Sequence, residues 1–269
     1  MSTDAVLDDI DARPGSTASL LRTLIGLYLR RLGGWIPASA LVSLAGDLGI
    51  AQPQARTAIT RLKQKALLLS ERRDTAGYAL NPAAVRMLET GDRRIFEMRQ
   101  MTDADGWCLV SFSVPESARN VRHQLRRRLQ WIGAGNVSPA LWICPGHLQG
   151  EVEAILDDLD VRRGATLFPA GSPITDATPA EAAARWWDLD ALRAEHEAFQ
   201  TSVSSLPTEP FAAYVRLIDA WRVLPYVDPG LPPSMLPADW PGSRSFAEFA
   251  RLQSTLAAPA WQHAEAATR

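Results

Sequence analysis

The sequence predicts an α+β protein in three consecutive parts, and three observations carry that reading. Residues 17–90 combine helical apolar spacing with a short hairpin pattern and a local surplus of positive charge. Residues 91–175 alternate β-rich runs with amphipathic helices in the order β-α-β-β-α-β. Residues 176–269 read as helices interrupted by one proline-dense run. With 46% hydrophobic and 22% charged side chains over 269 residues, the chain has apolar surface for more than one core, which excludes global disorder.

The net charge of −2 conceals a strong asymmetry. Residues 17–90 hold ten cations against four anions, so the remainder of the chain is acidic. Both lysines of the protein, Lys63 and Lys65, fall in this segment. A basic module on an acidic remainder points to a polyanion-binding domain attached to something else. Arg22, Arg30 and Arg31 interrupt the most apolar stretch, so no run reaches the ~20 residues of a membrane span. Asp4, Asp8, Asp9 and Asp11 make an acidic tail, the opposite of a signal peptide's basic start. Cys108 and Cys144 alone supply neither a disulfide framework nor a multi-cysteine zinc site. A cytoplasmic protein without a membrane partner is the expectation.

In the basic segment, Thr17 or Ser19 is placed to cap a helix carrying Leu20, Leu21, Leu24, Ile25, Tyr28 and Leu32, stopped by Gly33-Gly34. Pro37 and Ser39 open a second helix with Leu41, Val42, Leu44, Ala45 and Leu48, closed by Gly49. A third starts near Pro53 with an apolar stripe of Ala55, Ile59, Leu62 and Ala66. At roughly 100° per residue, its opposite face carries Gln54, Thr57, Thr60, Arg61 and Gln64, flanked by Arg56 and Lys63. Leu67 to Arg72, a polar turn from Arg73 to Gly77, and Tyr78 to Leu80 follow as a hairpin with a basic tip at Arg72 and Arg73. Three helices and a hairpin in this order make a winged helix-turn-helix. Its third helix has the narrow apolar back and the front of amides, hydroxyls and guanidiniums that major-groove reading requires. The competing reading of that front is a solvated face on a small helical bundle.

The middle segment opens with Trp107 to Val114, which places Cys108, Val110, Phe112 and Val114 on one face. A helix follows with Val121, Leu125, Leu129 and Ile132 as its stripe and five arginines, Arg119, Arg122, Arg126, Arg127 and Arg128, around it. Those arginines suit phosphate binding, or solvation and pairing. Gly133-Ala134-Gly135 follows a helix rather than a strand, so it reads as a helix stop and not as a dinucleotide fingerprint. One or two strands before Cys144, a helix over 147–159 and a strand over 165–168 complete a ferredoxin-like order. The last segment predicts helices over 179–188, 189–205 and 211–224, with a core including Trp186, Trp187, Phe199, Phe211, Tyr214 and Trp221. The run PYVDPGLPPSMLPADWPG at 225–242 reads as a fixed coil over those helices, before a final helix near 245–257.

Several stretches match one family. They are ARTAITRLKQKALL in the third helix, GDRRIF at 91–96, WCLVSFSVPESARNVRHQLRRRL at 107–129, LWICP at 141–145, WWDLDAL at 186–192 and DPGLPPSMLPADWPG at 228–242. Over nearly its whole length the chain resembles the phenylacetic-acid-degradation repressor family, the PaaX-type bacterial transcription regulators. The resemblance implies a winged helix, a middle ferredoxin-like domain similar to the Cas2 fold, and a helical C-terminal domain. It also implies a homodimeric repressor of aromatic-acid catabolic genes, released from double-stranded operator DNA by an aryl-CoA thioester such as phenylacetyl-CoA. No other cofactor is implied.

An acyl-CoA pocket needs cations at its phosphate end and apolar walls at its acyl end. Arg122 with Arg126, or Arg216 with Arg222, are the candidate cation pairs, and Trp186, Trp221 and Trp240 the candidate walls, each of which also reads as core. Two other functions compete. A DNA-binding scaffold without an inducer fits the same sequence. A Cas2-like metal-dependent nuclease needs a carboxylate near the end of the first middle strand, yet Ser111 to Pro115 offers none before Glu116. His123, His147, His196 and His263 lack metal-ligand spacing, and no nucleophile elbow is present, so the chain reads as a non-enzyme.

Overall fold

Why the N-terminal residues form a bundle is visible in their caps and stops. The computed structural model describes residues 13–269, so the acidic tail of residues 1–12 lies outside them. Helix α1 (Thr17–Tyr28) is capped by Ser16, whose side chain accepts from the Ser19 N–H at 3.3 Å. Neither Thr17 nor Ser19 caps it, because Ser19 is buried and turns its hydroxyl to Asp219. Gly33 and Gly34, at φ +80° and +79°, turn the chain out of the helix as their lack of a side chain permits. A short strand not anticipated from the sequence, β1 (Trp35–Pro37), precedes α2 (Ala38–Asp47) and α3 (Gln52–Gln64). Ala55, Ile59 and Leu62 are buried as their spacing predicts, and Ala58 joins them. Ala66 does not, because the helix has ended and this residue sits at φ +56°.

Strands β2 (Leu68–Arg72) and β3 (Ala76–Leu80) pair from Leu68↔Leu80 to Arg72↔Ala76, and β1 adds to the far side of β3. This three-stranded sheet in the order β1-β3-β2 is the wing. Helix α4 (Pro82–Phe96) follows it. It was not anticipated from the sequence, although Asn81, which accepts the Ala83 N–H at 3.0 Å, and Pro82 suit a helix start.

The chain forms two compact units that interleave along the sequence. Among the described residues, one holds 13–96 with Ala198–Val223 and Arg244–Arg269; the other holds Glu97–Glu197 with Leu224–Ser243. In the second, β4 (Trp107–Phe112), α5 (Arg119–Trp131), β5 (Gly135–Ser138), β6 (Leu141–Pro145), α6 (Gln149–Asp158) and β7 (Ala165–Ala170) follow in turn. The antiparallel sheet runs β5-β6-β4-β7, with the first strand between the third and fourth, which is the ferredoxin-like arrangement. Cys108, Val110, Phe112 and Val114 pack on Leu125 and Leu129 of α5 and Val152 and Leu156 of α6.

The opposite face of this sheet is apolar too, and it recruits its cover from downstream. Trp107 and Ile143 pack on Ala183 of α7 (Pro179–Trp186), on Trp187, and on Leu231 and Met235 of the proline-dense run. The Trp187 Nε1–H donates to the Gly133 carbonyl at 2.8 Å, over a Gly135 whose Cβ would lie 2.6 Å from the indole. The proline run is therefore fixed in place, against the helix of residues 179–186 and His196 of the next helix as expected, and also against the sheet. Gly230, at φ +69°, lets it pass within reach of the Arg99 carbonyl, and its own carbonyl accepts from Met101 N–H at 2.8 Å.

Helix α8 (Leu189–Ser204) begins in the second unit and ends in the first. There α9 (Pro210–Trp221) returns to the bundle, followed in sequence by the short α10 (Leu224–Val227) and by α11 (Gly242–Ala266). Phe211 stacks on Tyr28 at 5.8 Å between centroids, and Trp221 lies parallel to Phe249 at 4.4 Å. Asp219, only 1% exposed, accepts from the Ser19 hydroxyl, from Thr23 Oγ1 at 2.9 Å and from the Gly15 N–H at 2.6 Å. The Arg222 Nε lies 3.4 Å from the same carboxylate. Helix α11 continues past the expected end at residue 257 and through Pro259, because Ala260 and Ala264 are fully buried beyond it.

Two predictions follow from this core. Asp219→Ala leaves the Arg222 guanidinium buried without its counter-charge and should cost about 3–5 kcal/mol of stability by urea denaturation. The second concerns alkaline pH. Burial pushes the Tyr214 phenol up to about 12 and raises that of Tyr28 as well. An unfolded tyrosine ionises near pH ~10, so above that pH the unfolded chain releases protons first and stability falls as pH rises. Tyr28→Phe with Tyr214→Phe should flatten that fall. The Tyr28 hydroxyl is buried without a hydrogen-bond partner among the described residues, so Tyr28→Phe alone should leave stability at pH 8 unchanged or higher.

Candidate nucleic-acid interface

Helix α3 is held from behind by Ala55, Ala58, Ile59 and Leu62, and this burial decides which residues face outward. Gln54, Arg56, Thr57, Thr60, Arg61 and Gln64 are all exposed. The Thr57 hydroxyl donates to the Pro53 carbonyl at 2.9 Å and that of Thr60 to the Arg56 carbonyl at 3.0 Å. With their protons committed to the helix, both hydroxyls offer acceptor lone pairs outward. Arg56, Arg61 and, on the wing, Arg72 have no side-chain partner among the described residues. The front thus mixes unpaired guanidinium donors with hydroxyl acceptors and exposed amides on one helix face.

The two other predicted cations are engaged within the wing. The Lys63 ammonium donates to Ser70 Oγ at 2.9 Å and sits 6.0 Å from the centre of the Tyr78 ring. The Arg73 Nε donates to Glu71 Oε1 at 2.7 Å, and its guanidinium lies 5.1 Å from the centre of the Trp35 ring. The Trp35 Nε1–H in turn donates to the Glu71 carbonyl at 3.3 Å. Trp35 reaches it across Gly77, where a Cβ would stand 2.5 Å from the indole. Trp35 and Ser70 were missed as parts of the site; the signal was a glycine in the middle strand with a tryptophan at the start of the neighbouring one.

The predicted effector residues divide between the two units. Arg122 pairs with Glu116 at 3.0 Å, Arg126 donates to the Pro139 carbonyl at 2.6 Å, and Trp186 packs edge-on to Trp187. Trp240 lies 5.6 Å from the Arg193 guanidinium and packs edge-on to His196, which is itself bonded to Asp228 at 2.8 Å. In the other unit, the Arg216 Nη2–H donates to the Leu48 carbonyl at 2.8 Å. Trp221 is fully buried, and the Arg222 Nη2–H donates to the Ser19 hydroxyl at 2.9 Å. Of the seven, Trp221 is thus committed to aromatic packing within the bundle and Arg222 to the buried Asp219 carboxylate.

A cleft of about 170 Å³ opens in the second unit, with Trp107, Pro179, Pro232 and Met235 among its walls and Thr102, Asp103, Ser172 and Ser234 at its polar positions. No predicted effector residue lines it. Among the described residues no group of three or more His, Cys, Asp or Glu is placed to hold a metal, and no helix is long and apolar enough to cross a membrane.

A three-helix bundle with a sheet wing, joined in one chain to a ferredoxin-like domain, defines the class: a multidomain winged-helix protein. Models described as "PaaX-like protein", "PaaX protein central Cas2-like domain" and "PaaX-like protein C-terminal domain" match residues 16–84, 100–183 and 187–266. The chain belongs to the PaaX-like family. It is 26% identical over 248 residues to "Transcriptional repressor PaaX" of Escherichia coli (strain K12), spanning 87% of this chain and 78% of that protein. Its fold is also similar to "Uncharacterized protein Rv0674 from Mycobacterium tuberculosis", with a TM-score of 0.62, 22% identity, and coverage of 92% of this chain and 98% of that one.

Gly77→Ala tests how the wing is built. The new methyl would collide with the Trp35 ring and the Ile36 carbonyl, each 2.5 Å away. Amide NMR shifts should change across β1, β2 and β3 and leave the second unit's sheet unchanged.

Proposed function

We propose that this chain is a transcription regulator that binds double-stranded operator DNA through α3 and its wing. The observation that carries the reading is the exposed pair Arg56 and Arg61, without side-chain partners among the described residues, beside Gln54, Thr57, Thr60 and Gln64 on a helix whose back is buried. Such a face matches base edges and phosphates in a major groove, and Arg72 on the wing is placed to meet a phosphate. The E. coli relative is named a transcriptional repressor, which favours repression as the sign of regulation. A non-enzymatic, cytoplasmic role fits this reading, with aromatic-acid catabolic genes as its targets.

The effector in this reading is an aryl-CoA thioester such as phenylacetyl-CoA, acting on a homodimer. The 170 Å³ cleft is close to the ~150 Å³ that accommodates a benzene ring, and well below the several hundred Å³ of a pocket for a whole drug-sized ligand. It suits at most one ring of the acyl group, so the nucleotide end would have to lie outside it. Release requires tighter binding to the arrangement that does not hold DNA, since equal affinity shifts nothing.

Three measurements test the proposal. Footprinting on DNA upstream of the gene should show protection, and Arg61→Ala should weaken it by about 1–3 kcal/mol. Unchanged affinity in folded Arg61→Ala protein would refute the α3 assignment. Light scattering should show a dimer, and a strict monomer at tens of micromolar would remove that part. Phenylacetyl-CoA should dissociate the complex and free CoA should not; dissociation by neither, or equally by both, favours a scaffold without an acyl-specific inducer.

A further inference from the structure

Five cations, Arg56, Arg61, Lys63, Arg72 and Arg73, stand on α3 and its wing, and the structure divides them into two kinds. We propose that Lys63 and Arg73 are positioning residues that fasten the wing to itself and to α3, leaving Arg56, Arg61 and Arg72 to meet the nucleic acid. The inference rests on the DNA-binding reading for its consequence, although the fastening itself does not need DNA.

Lys63 stands on the last turn of α3, and its ammonium meets two strands at a single register position. Ser70 and Tyr78 are direct cross-strand partners in β2 and β3. One of them accepts its hydrogen bond at 2.9 Å, and the other turns its ring face toward the charge. Tilting the wing away from α3 would break both contacts at once. A lysine with three donors retains capacity for a phosphate, but its reach is set by this anchor.

Arg73 closes the other end. Strands β1 and β2 are not neighbours, since β3 lies between them. At the level of Gly77, which pairs with Pro37 on one side and Glu71 on the other, no side chain stands in the way. There the Trp35 indole crosses β3 to the Glu71 carbonyl, and Arg73 bridges the ring and the Glu71 carboxylate. The three strands are tied across one face by a carboxylate, a guanidinium and an indole. Arg72, the adjacent residue in the sequence, takes no part.

The test uses the full chain and two readouts. Without DNA, hydrogen exchange of the amides over residues 68–80 should speed up roughly two- to tenfold in Lys63→Met and in Arg73→Met, the scale of one lost hydrogen bond. Exchange at the wild-type rate in both would overturn the proposal. With operator DNA, Lys63→Met and Arg73→Met should weaken binding at every salt concentration while the slope of log affinity against log salt stays unchanged. Arg72→Ala should lower that slope by about 0.9, as loss of one phosphate contact does. Ser70→Ala should reproduce Lys63→Met, the double variant should be no worse than either, and Lys63→Arg should restore affinity. A slope reduced by about 0.9 in Lys63→Met or Arg73→Met would make them phosphate ligands and refute the inference. Absence of DNA binding by the wild type would refute the function instead, with the exchange result still deciding the wing.

Discussion

The carboxylate of Asp219 is the point at which α1 meets a helix encoded two hundred residues later. A buried, nearly inaccessible charge carries a large desolvation cost and is tolerated only where donors converge on it. Here the Ser19 and Thr23 hydroxyls, the Gly15 N–H and the Arg222 guanidinium do so. Three of these groups belong to α1 or its approach, so satisfying one carboxylate orients the helix on which α3 packs. The aromatic surroundings reinforce it, with Phe211 on Tyr28 and Phe249 on Trp221 supplying apolar contact that the short N-terminal helices lack.

That packing fixes which face of α3 is turned outward. Small and medium residues on the back of α3 bring it close to the bundle, so its front cannot rotate inward without burying arginines. The wing is secured by different means. Strand β2 exposes four of its five residues, Leu69 at 46% among them, so the outer edge of the wing has little hydrophobic burial available. Contacts among Lys63, Ser70, Tyr78, Arg73, Glu71 and Trp35 take over that role. Each is individually modest, as exposed polar contacts are, but they share a single small sheet.

The second unit follows another rule. A four-stranded sheet with helices on one side has a second face, and Trp107 and Ile143 make that face apolar. Water would otherwise cover it, at an order of 25 cal/mol for each Å². Residues 179–187 and the proline-dense run close it. The arginine-rich α5 is correspondingly less available than its charge suggests, since Arg122, Arg126 and Arg128 each bond to a carboxylate or carbonyl.

Periodicity determined most of the individual elements. The three bundle helices, the wing hairpin, the β-α-β-β-α-β order and the outward face of α3 were all legible, because each depends on local spacing, caps and turn residues. Helix α4 could have been found from Asn81-Pro82, whereas the three-residue β1 could not, since its only support is its pairing with β3. What tertiary structure alone decided was the destination of each apolar surface. Trp187 and Trp221 look equivalent in sequence, yet one covers the ferredoxin-like sheet and the other fills the helical bundle. Pro259 predicts a helix end, and burial of Ala260 and Ala264 overrides it. Charge follows the same logic: Arg72 and Arg73 are neighbours of one chemistry, and among the described residues only Arg73 meets the Glu71 carboxylate and the Trp35 ring that crosses Gly77. Local sequence encodes conformation and amphipathicity, while partner choice depends on contacts between residues far apart in the chain.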